Sequence, residues 1–391
     1  VAIWLFILTS MILALIIFEI FRLIPQLLRE LKYISDFTLS PESSSENAEV
    51  KVSVIIAAKD EAKNILEAAE SILASTYRNL ELVLVDDRSQ DDTWELMERL
   101  RERDNRVKTI RIDSLPKGWT GKTHALFGGA QVASGNILLF TDADASFAPD
   151  LVGRSLEFFV ANKLDMLSLI PGFKKWGLLE RAVYPHMALG ISYFFPMGAI
   201  NDPDSNAAVA SGCFIMISTE AYQKVGTWKN FRNQITEDIA MAKAVKSSRM
   251  KLSVSRSNLI KTKPFDNIVE VIRFWRRTFY GGLENRPAKI LRLWLNYSPL
   301  LLPFGLVLFL GPRMAIHGEF ETIGVILFLL SLATILTIEI PFGIFLKHYH
   351  GKWSYTLLSP LGIFTGFWIA TWLLLTKIFG IGIEWRGSVY K

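Results

Sequence analysis

Three apolar runs in this chain end on acids: "VSVIIAA" runs into Lys59-Asp60-Glu61, "LELVLV" into Asp86-Asp87, and "NILLFT" into Asp142-Ala143-Asp144. One acidic strand end is as well explained by a helix cap as by chemistry. Three ends with the same habit point to a shared site. Carboxylate oxygens suit hard cations, because Mg2+ and Mn2+ take oxygen ligands and commonly bind through one or two carboxylates plus the phosphates of a substrate. The chain has neither GxGxxG nor GxxxxGK[ST], so a glycine loop of the dinucleotide-binding or P-loop kind is not expected to meet phosphate charge. A divalent cation on Asp142 and Asp144 is the simplest remaining way to do so.

The elements that must position these acids follow from periodicity. "KVSVIIAA", "LELVLVDD", "RVKTIRI" and "NILLFTDAD" are short β-branched runs and read as strands. Between them lie helical patterns: one with Ile65, Leu66, Ala69, Ile72 and Leu73 on a single face, then "SQDDTWELMERLRE", then the small-residue stretch "GKTHALFGGAQVAS". The βαβα order predicts an α/β fold whose sheet is mostly parallel with helices on both faces. Ligands of such sheets bind at the carboxyl ends of the strands, where the acids fall.

Composition places this unit beside a membrane. Half of the 391 residues are hydrophobic, including 26 Phe, 11 Trp and 10 Tyr. Leu293 to Pro312, Thr322 to Ile338 and Trp353 to Thr376 are uncharged and of about the 20-residue length that spans a bilayer core. Val1 to Phe18 is also apolar and lacks a basic n-region and a small-residue cleavage site, so it reads as an anchor rather than a signal peptide. The organisation expected is an anchor over 1–22, a Ser- and Glu-rich linker over 23–50, a catalytic domain over 51–265, an amphipathic interfacial segment over 266–291, and a membrane region over 292–391. Arg22, Arg29 and Lys32 after the first span, and Lys347 and Lys352 between the last two, put the catalytic domain on the cytoplasmic side of a multi-pass plasma-membrane protein. The net charge of +5 suits an anionic leaflet and an anionic ligand. The basic residues are dispersed without a nucleic-acid module, which excludes nucleic acid as the expected partner. The lone Cys213 has no disulfide or zinc partner and is expected to be a small core residue.

"VSVIIAAKDEAKNI", "LVLVDDRSQDDT", "GWTGKTHAL", "ILLFTDADASF" and "ITEDIAMAKAVKSSRMKL" occur in the order and rough spacing of the family 2 glycosyltransferases of GT-A fold. Over about 50–290 the chain resembles the membrane-bound branch that glycosylates lipids, such as the hopanoid-associated and carotenoid enzymes, with ceramide glucosyltransferase a relation. The resemblance implies that Glu61 with Asp86 or Asp87 contacts the nucleoside of a nucleotide-sugar donor and that Lys122 lies near its base or phosphates. It implies that Asp142 and Asp144 hold Mg2+ or Mn2+ across the diphosphate, and that Asp238, with Glu237 beside it, is the catalytic base. The family's next motif is Gln or Arg, two residues, then Arg-Trp. Here "RFWRR" supplies Arg273 and Arg276, but Arg277 stands in place of the Trp, which argues against a processive synthase.

The bland reading of Thr236, Glu237 and Asp238 is that they cap a helix and meet its dipole. That reading is compatible with catalysis, since a helix start is a stiff place from which to aim a carboxylate. "AVYPHMALGISYFFPMGAI" reads equally as an interfacial helix, the roof of an acceptor site, or ordinary core. "IVEVIRFWRRTFYGG" mixes Arg273, Arg276 and Arg277 with Phe274, Trp275 and Phe279, as expected of a helix in the headgroup layer. Glu339, beside Pro341 in an apolar stretch, is a functional suspect by its position or else marks an interfacial break. His124 and His186 carry no assigned role. The expectation is an inverting, metal-dependent transferase acting on a membrane lipid. The rivals are a processive polysaccharide synthase and an inactive membrane-tethered GT-A scaffold.

Overall fold

The computed structural model describes residues 49–317, 322–348, 352–385 and 388–390, with isolated helical positions between 4 and 28. The expected N-terminal anchor and linker therefore lie largely outside the described residues. The chain divides into two compact units, one of Tyr33–Lys175 with Met197–Pro264, the other of Val1–Lys32, Trp176–Pro196 and Phe265–Lys391. The stretch 176–196, expected inside the catalytic domain, thus groups with the apolar helices.

The first unit is built on strands β1 (Val52–Ala58), β2 (Leu80–Asp87), β3 (Val107–Ile112), β4 (Ile137–Asp142), β5 (Ser146–Phe147), β6 (Met166–Phe173), β7 (Ile215–Ser218) and β8 (Leu252–Thr262). They form one sheet in the order β3-β2-β1-β4-β7-β6-β8-β5. The β3, β2, β1 and β4 half is wholly parallel, as the βαβα pattern requires. The other half is mixed: β7 runs antiparallel to both β4 and β6, and β5 antiparallel to β8. Helices α1 (Ile65–Leu73), α2 (Thr93–Arg103) and α3 (Gly121–Val132) make the crossovers between the first four strands. Val52, Val54, Ile56, Leu82 and Leu84 pack with Ile65, Ala69 and Ile72 of α1 in the main core. Small residues let α3 approach the opposite face. A β-carbon on Gly129 would stand 2.6 Å from Ile55 and 2.9 Å from Val85.

At the amino ends of these strands a buried carboxylate clamps the sheet. Glu81 accepts from Ser53 Oγ at 2.6 Å and from the Ser134 amide at 2.6 Å, and pairs with Lys108 at 2.9 Å and Lys51 at 3.3 Å. Burial opposes its charge, but Lys108, then Ser53 and Ser134, outweigh it and hold the carboxyl at about 2.

Between β5 and β7 the first unit also carries α4 (Leu151–Ala161) and α7 (Met197–Asn201), the intervening α5 (Leu178–Ala182) and α6 (Tyr184–Phe194) belonging to the second unit. The short α8 (Thr219–Lys224) and α9 (Thr227–Asn230) and the longer α10 (Glu237–Ser247) then lead to β8. The rest of the second unit comprises α11 (Ile268–Gly282), α12 (Pro287–Tyr297), α13 (Leu301–His317), α14 (Thr322–His348) and α15 (Ser359–Phe379). Among the described residues three stretches are long and apolar enough to cross a membrane: Pro287–Ile316, Gly324–Ile344 and Trp353–Phe379. They coincide with the three expected spans, and Glu339 lies within a continuous helix rather than at a break. Val271, Trp275 and Phe279 of α11 are buried with Leu293 and Tyr297 of α12 and Ile369 and Leu373 of α15, while Arg273 is exposed. Glycines again set the spacing. A β-carbon on Gly366 would lie 2.4 Å from the Tyr297 ring, and one on Gly362 would lie 2.3 Å from the Ala182 carbonyl oxygen. Near the end of the chain, Ile383–Trp385 and Ser388–Tyr390 form a short antiparallel pair.

Candidate active site

The carboxyl ends of β1 and β2 are turned by residues in the left-handed region, Asp60 at φ 56° and Arg88 at φ 58°. Non-glycine residues adopt this conformation at a cost, which the surrounding hydrogen bonds must over-determine. Here the two turns are laced together. The Asp60 amide donates to Ser89 Oγ at 3.0 Å, the Gln90 amide to Asp60 Oδ1 at 2.7 Å, and the Glu61 amide to Thr93 Oγ1 at 2.8 Å. Asn64 Nδ2 donates to Glu61 Oε2 at 2.7 Å. Glu61 is therefore held beside the β2 end in a fixed rotamer.

Asp86 and Asp87 are buried at that end. The Ser89 amide donates to Asp86 Oδ1 at 3.3 Å, and Arg111 Nε lies 3.5 Å from Asp86 Oδ2. Asp87 pairs with Arg88 at 2.8 Å and lies against the start of α3. A β-carbon on Gly121 would stand only 2.0 Å from Asp87 Oδ2, so the close approach requires glycine. Thr120 caps α3 through its side chain, which accepts from the Thr123 amide. This directs the first turn of α3, and Lys122 with it, toward the strand ends.

Lys122 is the hub. Its ammonium lies 2.7 Å from Asp142 Oδ1 at the end of β4 and 2.9 Å from Glu237 Oε1 at the start of α10. Burial disfavours the ammonium, but Asp142 and then Glu237 outweigh it and raise its pKa. Asp238, the next residue, accepts from the Gly212 amide at 2.9 Å through Oδ2 and from the Ile239 amide at 2.8 Å through Oδ1. Thr236 occupies the cap position of α10 without a side-chain capping bond. Asp238 is thus held in position by two backbone donors.

Asp144 completes the group. Burial, then Asp142, then Glu61 push its carboxyl up to about 6, with Lys263 acting in the opposite sense. Crowded, partly desolvated carboxylates of this kind are the environment that a divalent cation relieves. Among the described residues no three His, Cys, Asp or Glu side chains converge as a ready-made cage. Asp142 and Asp144 fit the other mode, in which two carboxylates supply part of a shell that substrate phosphates and water complete.

The structure therefore brings Lys122, Asp142, Glu237 and Asp238 into one constellation, with Glu61 and Asp144 linked to it and Asp86 and Asp87 at the neighbouring strand ends. Arg273, Arg276 and Arg277 belong to the other unit, on α11, where Arg276 stacks 3.5 Å over the Trp372 ring. Cys213 packs against the main core, as expected of a small apolar residue, and also reaches the site. Its Sγ donates to Asp142 Oδ2 at 3.4 Å, because the 211–213 turn that precedes β7 runs past the end of β4. Gly212 in the same turn was missed. A β-carbon there would lie 2.9 Å from Lys122 Nζ and 3.5 Å from Asp238 Oδ2, and no sequence period links it to one residue 90 positions earlier and another 26 later.

Residues 53–226 match the model of the family described as "Glycosyl transferase family 2". A UDP-Glc:alpha-D-GlcNAc-diphosphoundecaprenol beta-1,3-glucosyltransferase of Escherichia coli is 30% identical over 113 residues, covering 29% of this chain and 43% of the relative. A poly-beta-1,6-N-acetyl-D-glucosamine synthase of Staphylococcus epidermidis is 26% identical over 204 residues, or 51% of this chain and 46% of the relative. The chain thus spans less than half the length of these curated relatives. The solved mannosyltransferase PcManGT of Pyrobaculum calidifontis, in complex with GDP-Man and Mn2+, shares the fold at a TM-score of 0.50 and 16% identity, over 94% of this chain and 98% of that one. The laced strand ends, Lys122 and Asp142 fall within the stretch that matches the family model, and residues 53–226 are similar to a glycosyl transferase family 2 domain.

Proposed function

We propose that this protein is an inverting, metal-dependent glycosyltransferase that moves one sugar from a nucleotide-sugar donor to a hydroxyl of a membrane lipid at the cytoplasmic face. The observation that carries the reading is the bridge from Lys122 to Asp142 and Glu237, which draws an expected diphosphate ligand and the expected catalytic segment together. Glu61, Asp86 and Asp87 bind the nucleoside, and Asp142 and Asp144 hold Mg2+ or Mn2+. When bound, the ion supplies positive charge against the negative charge that grows on the leaving diphosphate.

In the reaction the bond from the anomeric carbon to the phosphate oxygen breaks and its electron pair leaves with the nucleoside diphosphate. The acceptor oxygen forms the new bond to that carbon and gives its proton to Asp238. The backbone amides of Gly212 and Ile239 keep the base aimed. A single base without a covalent intermediate inverts the anomeric centre. Lys122 keeps Asp142 and Glu237 in place and offers its ammonium to the same anionic ligand.

Similarity to a poly-beta-1,6-N-acetyl-D-glucosamine synthase over half of the chain supports a second reading, a processive synthase. The deciding experiment incubates the full chain in membranes with labelled nucleotide sugars, Mg2+ or Mn2+, and lipid extract, and resolves products by mass spectrometry. A lipid carrying one sugar supports the first reading and a polymer ladder the second. Absence of metal-dependent donor consumption with every common nucleotide sugar refutes both and favours the inactive scaffold.

A further inference from the structure

Within the helical unit, three chain segments that are far apart in sequence bring polar groups together among apolar ones. His186 of α6 and Ser359 at the start of α15 are joined at 2.7 Å between Nε2 and Oγ, and both are buried. The His186 ring stacks on Phe342 of α14 at 4.0 Å, and its backbone carbonyl accepts from Tyr297 at 2.8 Å. One turn before Phe342 on α14 stands Glu339, whose carboxyl faces the Ser359 hydroxyl. Apart from that approach of Ser359, neither Glu339 oxygen meets a hydrogen-bond partner among the described residues, and both are shielded from solvent. A polar atom buried without a partner costs roughly 1–3 kcal/mol, more for a charged group, so it calls for an explanation. An ionisable residue inside a membrane segment is a functional candidate on the same ground.

The surroundings narrow what such a carboxyl receives. A divalent cation needs several oxygen ligands, and among the described residues no group of three or more candidate side chains is present. No cationic side chain is paired with Glu339 among the described residues. The neighbouring residues Leu336 and Ile340 are 59% and 51% exposed, so this apolar side of α14 is open at the surface of the helical unit, while Glu339 itself is half-buried. A neutral hydrogen-bond donor arriving from the bilayer satisfies one of the two oxygens without adding charge to an apolar bundle.

We infer that Glu339, with Ser359 oriented by His186, forms a lipid-headgroup site that accepts a hydrogen bond from a hydroxyl-bearing membrane lipid. The inference rests on the membrane-lipid reading above but requires no turnover. The carboxyl accepts from the lipid hydroxyl, His186 fixes the Ser359 hydroxyl against rotation, and Phe342 fixes the His186 ring. Because binding alone is read, failure of this site leaves the donor chemistry of Asp142 and Asp238 untouched, and failure of that chemistry leaves this site testable.

The test uses the full chain in phosphatidylcholine nanodiscs doped with a photoactivatable diacylglycerol, or with its O-methyl ether as a probe without the donor. The hydroxyl probe should label peptides around Glu339 and Ser359 about five- to tenfold more than the ether, as one hydrogen bond to a carboxylate implies. Glu339→Leu should abolish the difference without lowering thermal stability, since an unpartnered polar group is replaced by an apolar one, and Glu339→Gln should retain part of it. Equal labelling of the wild-type chain by the two probes overturns the proposal, whatever the variants do. So does a preference for the hydroxyl probe that survives Glu339→Leu.

Discussion

Replacing Glu81 by Gln tests whether the amino-terminal clamp stabilises the sheet independently of the active site. Glu81 is almost fully buried and holds Ser53 of β1, Ser134 after α3, and Lys108 of β3. Its carboxyl sits at about 2 in the fold against 4.5 for an ordinary glutamate. That gap corresponds to about 3 kcal/mol at neutral pH, a ceiling because Gln keeps one acceptor. For a unit of this size it amounts to roughly 6–10 °C in melting temperature. The sign follows from the depressed value. The contribution is fully present above the unfolded pKa near 4.5 and is lost as pH falls toward 2. Scanning calorimetry of wild type and Glu81→Gln in detergent, from pH 7 down to pH 3, should show a gap that is widest at neutral pH and has narrowed to roughly half or less at pH 3. A gap of the same size at both ends would mean that the loss comes from packing or from the amide group rather than from the charge. No gap at pH 7 would refute the clamp itself. Donor turnover per folded molecule should be unchanged, since Glu81 lies at the opposite strand ends from Asp86 and Asp142.

Substitution at the site should separate donor binding from catalysis. Asp142→Ala or Asp144→Ala should abolish metal-dependent donor binding by calorimetry while leaving the fold and membrane insertion intact; unchanged binding would remove both from the metal site. Asp238→Asn should lower kcat by about 10²- to 10⁴-fold, the range for a general base, with donor KM little changed. Gly121→Ala places a methyl group 2.0 Å from Asp87 Oδ2, so it should displace that carboxylate and raise donor KM more than it lowers kcat. Gly366→Ala, whose methyl would meet Tyr297 at 2.4 Å, should cost about 1–3 kcal/mol through overpacking of α12 on α15, read as a fall in melting temperature.

Much of the scaffold was legible before any coordinates, because it rests on local repetition. The short β-branched runs at 52–58, 80–87, 107–112 and 137–142 became the four parallel strands, and the acids closing three of them fell at carboxyl ends as the βαβ rule requires. Three spans were readable from their lack of charge alone. The small-residue helix at 121–132 was visible as composition, but its reason was not. Gly121 serves Asp87, and Gly129 serves Ile55 and Val85, and these are contacts between distant segments.

Sequence alone determined which residue types were available and which short segments would present them, since backbone sterics and hydrophobic periodicity act over a few positions. Tertiary structure alone decided who meets whom. Lys122 finds Glu237 across 115 positions, Asp238 takes a donor from Gly212, and Cys213, packed against the core, also reaches Asp142. It also decided that β7 enters antiparallel beside β4, which carries the 211–213 turn to the strand end where Asp142 stands. These meetings depend on how the sheet is ordered and on which small residues let elements close. No spacing along the chain encodes either.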